Sequence, residues 1–125
     1  MEQSLYQRLD LLLTAGQINQ TIKEAVVDFA LAVEEKFKLQ LNEENAVMLI
    51  THLAMALARI LRGEEVEGLA EEALDELRNK KAFQEMPALY LELEKKLTFT
   101  IPEAEKNYIT LHTCVLVANY LNENE

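Results

Sequence analysis

The chain has 125 residues, half of them apolar, a formal charge of −10 at pH 7 and one cysteine. That length fits one domain with a real core, burying about two-thirds of its unfolded surface, and the apolar half of the composition excludes a disordered chain. The acidity argues against direct DNA or RNA binding, which needs a basic face to displace counterions, and a lone Cys114 leaves no internal disulfide framework and fits a reducing, cytoplasmic setting.

Three glycines and two prolines supply few of the turns that an all-β fold needs. Long periodic apolar segments point instead to an all-α fold. Residues 1–14 alternate polar and apolar at helical spacing, with no apolar signal-peptide core behind a basic start. Leu5, Leu9, Leu12 and Leu13 define a short amphipathic helix, and Gly16 is its stop. Ile18, Ile22, Ala25, Val26, Phe29, Val33 and Phe37 then mark one buried stripe on a long helix.

The stretch Ala46 to Leu61 is apolar nearly throughout, the exceptions being Thr51, His52 and Arg59. Such a helix is expected at the centre, packed by the rest of the chain. At 16 residues with a His and an Arg inside, it reads as too short and too polar for a transmembrane span. Asn42, followed by Glu43 and Glu44, caps its start; Arg62-Gly63 closes its end. His52 and Arg59 lie two turns apart on nearly one line, and polar groups on an apolar rod need partners.

GEEVEG (63–68) reads as a loop, followed by a short acidic helix with Leu69, Ala73, Leu74 and Leu77 inside. The crowd of Glu64, Glu65, Glu67, Glu71, Glu72, Asp75 and Glu76 is a solvated face, or else a docking surface for a basic patch. Phe83, Met86, Tyr90, Leu93 and Leu97 space another helix, in which Pro87 is tolerable only in the first turn. Thr100 with Glu103, and Pro102 between them, signals the last helix start. Its seam is expected along Ile101, Ala104, Tyr108, Leu111, Val115 and Ala118, with His112 on the shoulder, two turns from Glu105. The closing NENE (122–125) reads as a frayed end. The expectation is a single bundle of five to six helices over residues 1–125.

His52 and His112 are the only histidines. No HExxH or Cys/His cluster surrounds them, so no metal is expected, and no cofactor. A nucleophile elbow and a glycine-rich phosphate loop are both missing, which makes an enzyme the weaker class. A neutral imidazole nitrogen can, however, accept a phosphoryl group where the ring is accessible, a cation is near and the neighbours are small. His52 has Ala56 one turn on and Arg59 two turns on, and an arginine fork suits phosphate oxygens. The plain alternative is that both rings are core or interface residues with satisfied hydrogen bonds.

THLAMALARILRGEEV (51–66) resembles the first histidine motif of the PTS regulation domain (PRD), a His-Leu or His-Ile followed by Ala-x-x-Arg and a glycine. IPEAEKNYITLH (101–112) is similar to its second motif, Pro-x-x-Glu followed by Tyr-Ile-x-Leu-His, at the family's interval. Thr51 departs from the aspartate that many antiterminator members carry before the first histidine. The resemblance implies a compact dimeric bundle of about five helices. It implies a role in bacterial carbohydrate-linked transcription control, with His52 and His112 as phosphoacceptors and Arg59 supporting the first. The donors would be the phosphocarrier protein or a IIB component of the phosphotransferase system. Here the domain stands alone, so it is expected to form a homodimer and act through a separate transcription regulator, without touching nucleic acid or membrane itself. Two other readings stand beside it: a helical interaction or dimerisation module that is not phosphorylated, and a small enzyme or ligand-binding bundle with His52, Arg59 and Glu105 in one pocket.

Overall fold

The computed structural model describes residues 1–123. These residues form six α-helices and one 3₁₀ turn, with no strand among them. The helices are α1 (Gln3–Thr14), α2 (Gln20–Phe37), α3 (Glu43–Leu61), α4 (Glu71–Arg78), α5 (Met86–Lys96) and α6 (Glu103–Glu123), and the 3₁₀ turn Lys81–Glu85 leads into α5. The all-α expectation is met, and one continuous apolar core joins them.

Local chemistry sets the helix ends. After α1, the Gly16 N–H donates to the Leu13 carbonyl and the Gln17 N–H to that of Leu12. Gly16 takes a φ of 75°, which an L side chain resists. Gly63 repeats the device after α3: its N–H reaches Ile60, and the Glu64 N–H reaches the Arg59 carbonyl. At the start of α3, the Asn42 and Asn45 side chains each accept the other's backbone N–H, a reciprocal cap.

α3 is the hub, packed by α1, α2 and α6. At 19 residues it is long and apolar enough to cross a membrane by length and composition alone, more so than the 16-residue stretch suggested. In the fold its faces are spent otherwise: Leu49, Ile50, Leu53, Ala54 and Leu57 are buried in the core. It is not, however, covered all round. Met48 is 60% exposed and His52 reaches solvent, so a strip from Met48 through His52 and Met55 to Arg59 opens to the surface.

Three further expectations are corrected. α6 starts after Pro102, whose carbonyl accepts the Lys106 N–H, and not at Thr100. A residue before proline is pushed out of the helical region, so the buried Ile101 stays outside the helix. Nor does the α6 seam follow Val115, which is 50% exposed; it follows Glu105, Ile109, Thr113 and Leu116. The rotation arises because α6 is gripped on two sides, by α3 and by the 3₁₀ turn with α4. Phe83 lies on the 3₁₀ turn, because Pro87 in the first turn of α5 prevents the α-helix from extending back that far. The NENE tail ends in residues 124–125, which lie outside the described residues.

Candidate functional site

α3 and α6 pack antiparallel, and two polar pairs bridge them. His52 Nδ1 lies 3.0 Å from His112 Nε2, the rings edge to face with centroids 4.7 Å apart. Seven residues forward on α3 and seven back on α6, Arg59 Nη2 donates to Glu105 Oε1 at 3.1 Å. The two pairs are therefore about 10 Å apart along the helices. Between them opens a cleft of about 300 Å³, lined also by Met55, Ala56, Val66 and Tyr108. The Gly63 stop fixes where α3 ends, and so where Arg59 stands at the edge of the cleft.

A neutral histidine pair shares one bridging proton: one ring donates its N–H and the other accepts at its bare nitrogen. Protonation of both rings would set N–H against N–H across this contact. His112 is half-buried, and burial, with the neighbouring His52 ring second, lowers its pKa below the usual 6.5. The cleft thus keeps a basic nitrogen lone pair at neutral pH.

The ion pair is less complete. Glu105 is only 2% exposed, yet its Oε2 is buried without a hydrogen-bond partner, and so is Arg59 Nε. The Thr51 hydroxyl, one residue before His52, is also buried and unpartnered. Among the described residues no carboxylate bonds to His52, whose Nδ1 meets His112. Among the described residues, no three His, Cys, Asp or Glu side chains gather as a metal-binding group. Cys114 is no reactive thiol: it is buried, and burial pushes its pKa up to about 11.

His52, His112 and Arg59 were singled out by residue type and spacing, and the structure brings all three to one cleft, together with Glu105. The direct contact of the two rings was not foreseen. Its signal was present: His52 and Arg59 are spaced as Glu105 and His112 are, in reverse order, which is what two antiparallel helices need to match pair against pair.

A family profile for the PRD domain matches residues 27–113, a span that takes in both histidines, Arg59 and Glu105. The chain belongs to the PRD domain family. Its relatives include the uncharacterized protein YhfY of Escherichia coli K12, 33% identical over 102 residues that cover 82% of this chain and 85% of that protein. An uncharacterized protein of Haemophilus influenzae is 30% identical over 114 residues, 90% of this chain and 91% of that one. The probable licABCH operon regulator of Bacillus subtilis is 34% identical over 93 residues, 72% of this chain but 14% of the regulator. No solved structure gives a significant match. Within this PRD, the α3–α6 cleft is where the two family motifs meet.

Proposed function

We propose that this PRD is a phosphorylation-responsive regulatory module of carbohydrate-linked transcription control. His52 and His112 are its phosphoacceptors and Arg59 is the cation that receives the added charge. The observation that carries this reading is the solvent-open cleft in which two hydrogen-bonded imidazoles and an arginine face one volume. The likeness to the Bacillus subtilis operon regulator supports the setting.

In the transfer, the bare nitrogen of one ring attacks phosphorus on a phosphohistidine of the donor. The new N–P bond forms as the donor's N–P bond breaks, and its electron pair returns to the donor ring. The accepting ring's remaining N–H is a donor that the partner histidine can hold, so the second ring serves the role that an aspartate would fill beside the first. The donor is the phosphocarrier protein or a IIB component of the phosphotransferase system. Exposed Met48 and Val115 flank the histidines and suit a contact with a second copy of the chain. Nearly two negative charges beside that contact are enough to shift it. The module passes this on to a separate transcription regulator in the cytoplasm.

His52, Arg59 and Glu105 do share one cleft, as a small enzyme would need. The carboxylate, however, bonds to the guanidinium and to neither ring, so no carboxylate–histidine couple is set for acid–base work. Incubation with phosphoenolpyruvate and the purified phosphotransferase proteins tests the proposal. Acid-labile, base-stable phosphate that disappears in the His52→Ala/His112→Ala double variant is expected. An unlabelled wild-type chain would leave the module a structural or dimerisation unit.

A further inference from the structure

The cleft contains one permanent cation and, once loaded, two anions. Among its lining residues Arg59 is the sole Lys or Arg, and Glu105 already holds it. That hold is incomplete on both sides, since Glu105 Oε2 and Arg59 Nε are buried and unbonded. Helical side chains lean toward the N-terminus of their own helix. On α3 that direction runs from Arg59 toward His52, and on the antiparallel α6 it runs from Glu105 away from His112. The guanidinium touches the carboxylate and lines the same cleft as the ring pair.

We propose that Glu105 is a built-in competitor for the phosphoryl group: it holds Arg59 while the histidines are free, and loses it when a phosphoryl group arrives. The inference rests on the phosphoacceptor reading above and goes beyond it by giving Glu105 a positioning role. A buried carboxylate stripped of its partner is strongly disfavoured. Phosphorylation is thereby coupled to the α3–α6 packing: Glu105 must gain water or a proton once Arg59 turns to the phosphate. The same competition sets how readily the histidines load.

The coupling is read as an exchange equilibrium with N-phosphoimidazole, which needs no protein donor. A ring nitrogen of the full chain attacks phosphorus, the N–P bond to imidazole breaks, and imidazole leaves with the proton. Intact-mass measurement at fixed phosphoimidazole and imidazole gives the equilibrium constant. Glu105→Gln raises it about tenfold, within the usual range of site–site coupling, and Arg59→Ala lowers it. The Arg59→Ala/Glu105→Gln double variant matches Arg59→Ala, because Glu105 acts only through the arginine. An unchanged constant in Glu105→Gln, or an increase that persists without Arg59, overturns the proposal. Should Glu105→Gln not fold, the wild type decides: the Arg59 Nε–H resonance shifts on loading, and a fixed resonance overturns the competition. A wild type that takes no phosphate overturns both this inference and the acceptor reading; phosphate uptake indifferent to Glu105 overturns this one alone.

Discussion

The two flanks of α6 handle buried polar groups in opposite ways. Toward α5, the Tyr90 hydroxyl donates to the Lys106 carbonyl and shares a second hydrogen bond with Thr110 Oγ1, both at 2.6 Å. Lys106 pairs with Glu94 and lies over the Tyr90 ring. Burial raises the Tyr90 pKa, so the phenol stays protonated. Toward α3, the same helix presents Glu105 and His112 to a cleft, where buried atoms of Arg59 and Glu105 lack partners. Satisfied networks fix a packing, whereas half-satisfied ones are expensive to keep. In the proposed function the α5 flank is scaffold and the α3 flank is the face that responds.

The contrast is broken most severely at the ion pair. Arg59→Ala leaves Glu105 buried and uncompensated and should cost about 3 kcal/mol in chemical denaturation. Replacing both partners with apolar residues, Arg59→Met with Glu105→Leu, should recover most of that loss. A single variant that unfolds no more easily than wild type would show that Glu105 does not depend on Arg59 for compensation. Next comes Tyr90→Phe, which removes two good hydrogen bonds and should cost about 1–2 kcal/mol, while histidine phosphorylation continues unchanged. Loss of phosphorylation in that variant would show that the flanks are not separate.

A smaller effect is a pH slope. His112 has a folded pKa below its unfolded value of 6.5. Its contribution to stability is therefore full above pH 6.5 and is lost as the pH falls through the folded pKa. Denaturation midpoints should drop over that window in the wild type, and less so in His112→Gln. An identical slope in both would place the titration elsewhere. Least of all, Arg78→Ala, which breaks exposed pairs with Glu71 and Asp75, should cost about 0.5 kcal/mol or less and vanish in high salt.

The scaffold was legible because its signals are local. Gly16 and Gly63 stop helices wherever they occur, Asn42 caps, and Pro87 limits how far α5 can reach back. The α6 seam was misjudged because its rotation depends on two distant neighbours, so Val115 was placed inside, and Glu105 entered only through the ligand-binding reading and not as part of the seam. An acid on a helix reads as exposed unless its partner is known, and Arg59 lies 46 residues away. The ring-to-ring contact spans 60 residues and depends on the antiparallel register of α3 and α6. Residue type draws attention to the two histidines, and tertiary pairing brings their rings into contact.

Hydrogen exchange before and after phosphorylation, followed along the whole chain, bears most directly on the claim that the α3–α6 flank is the responsive one. Amides of α6 near Glu105 and of α3 near Arg59 should lose protection when the histidines are loaded, while α5 around Tyr90 keeps its own. Loaded protein whose α3–α6 amides exchange as slowly as before, or whose α5 opens first, would contradict the account.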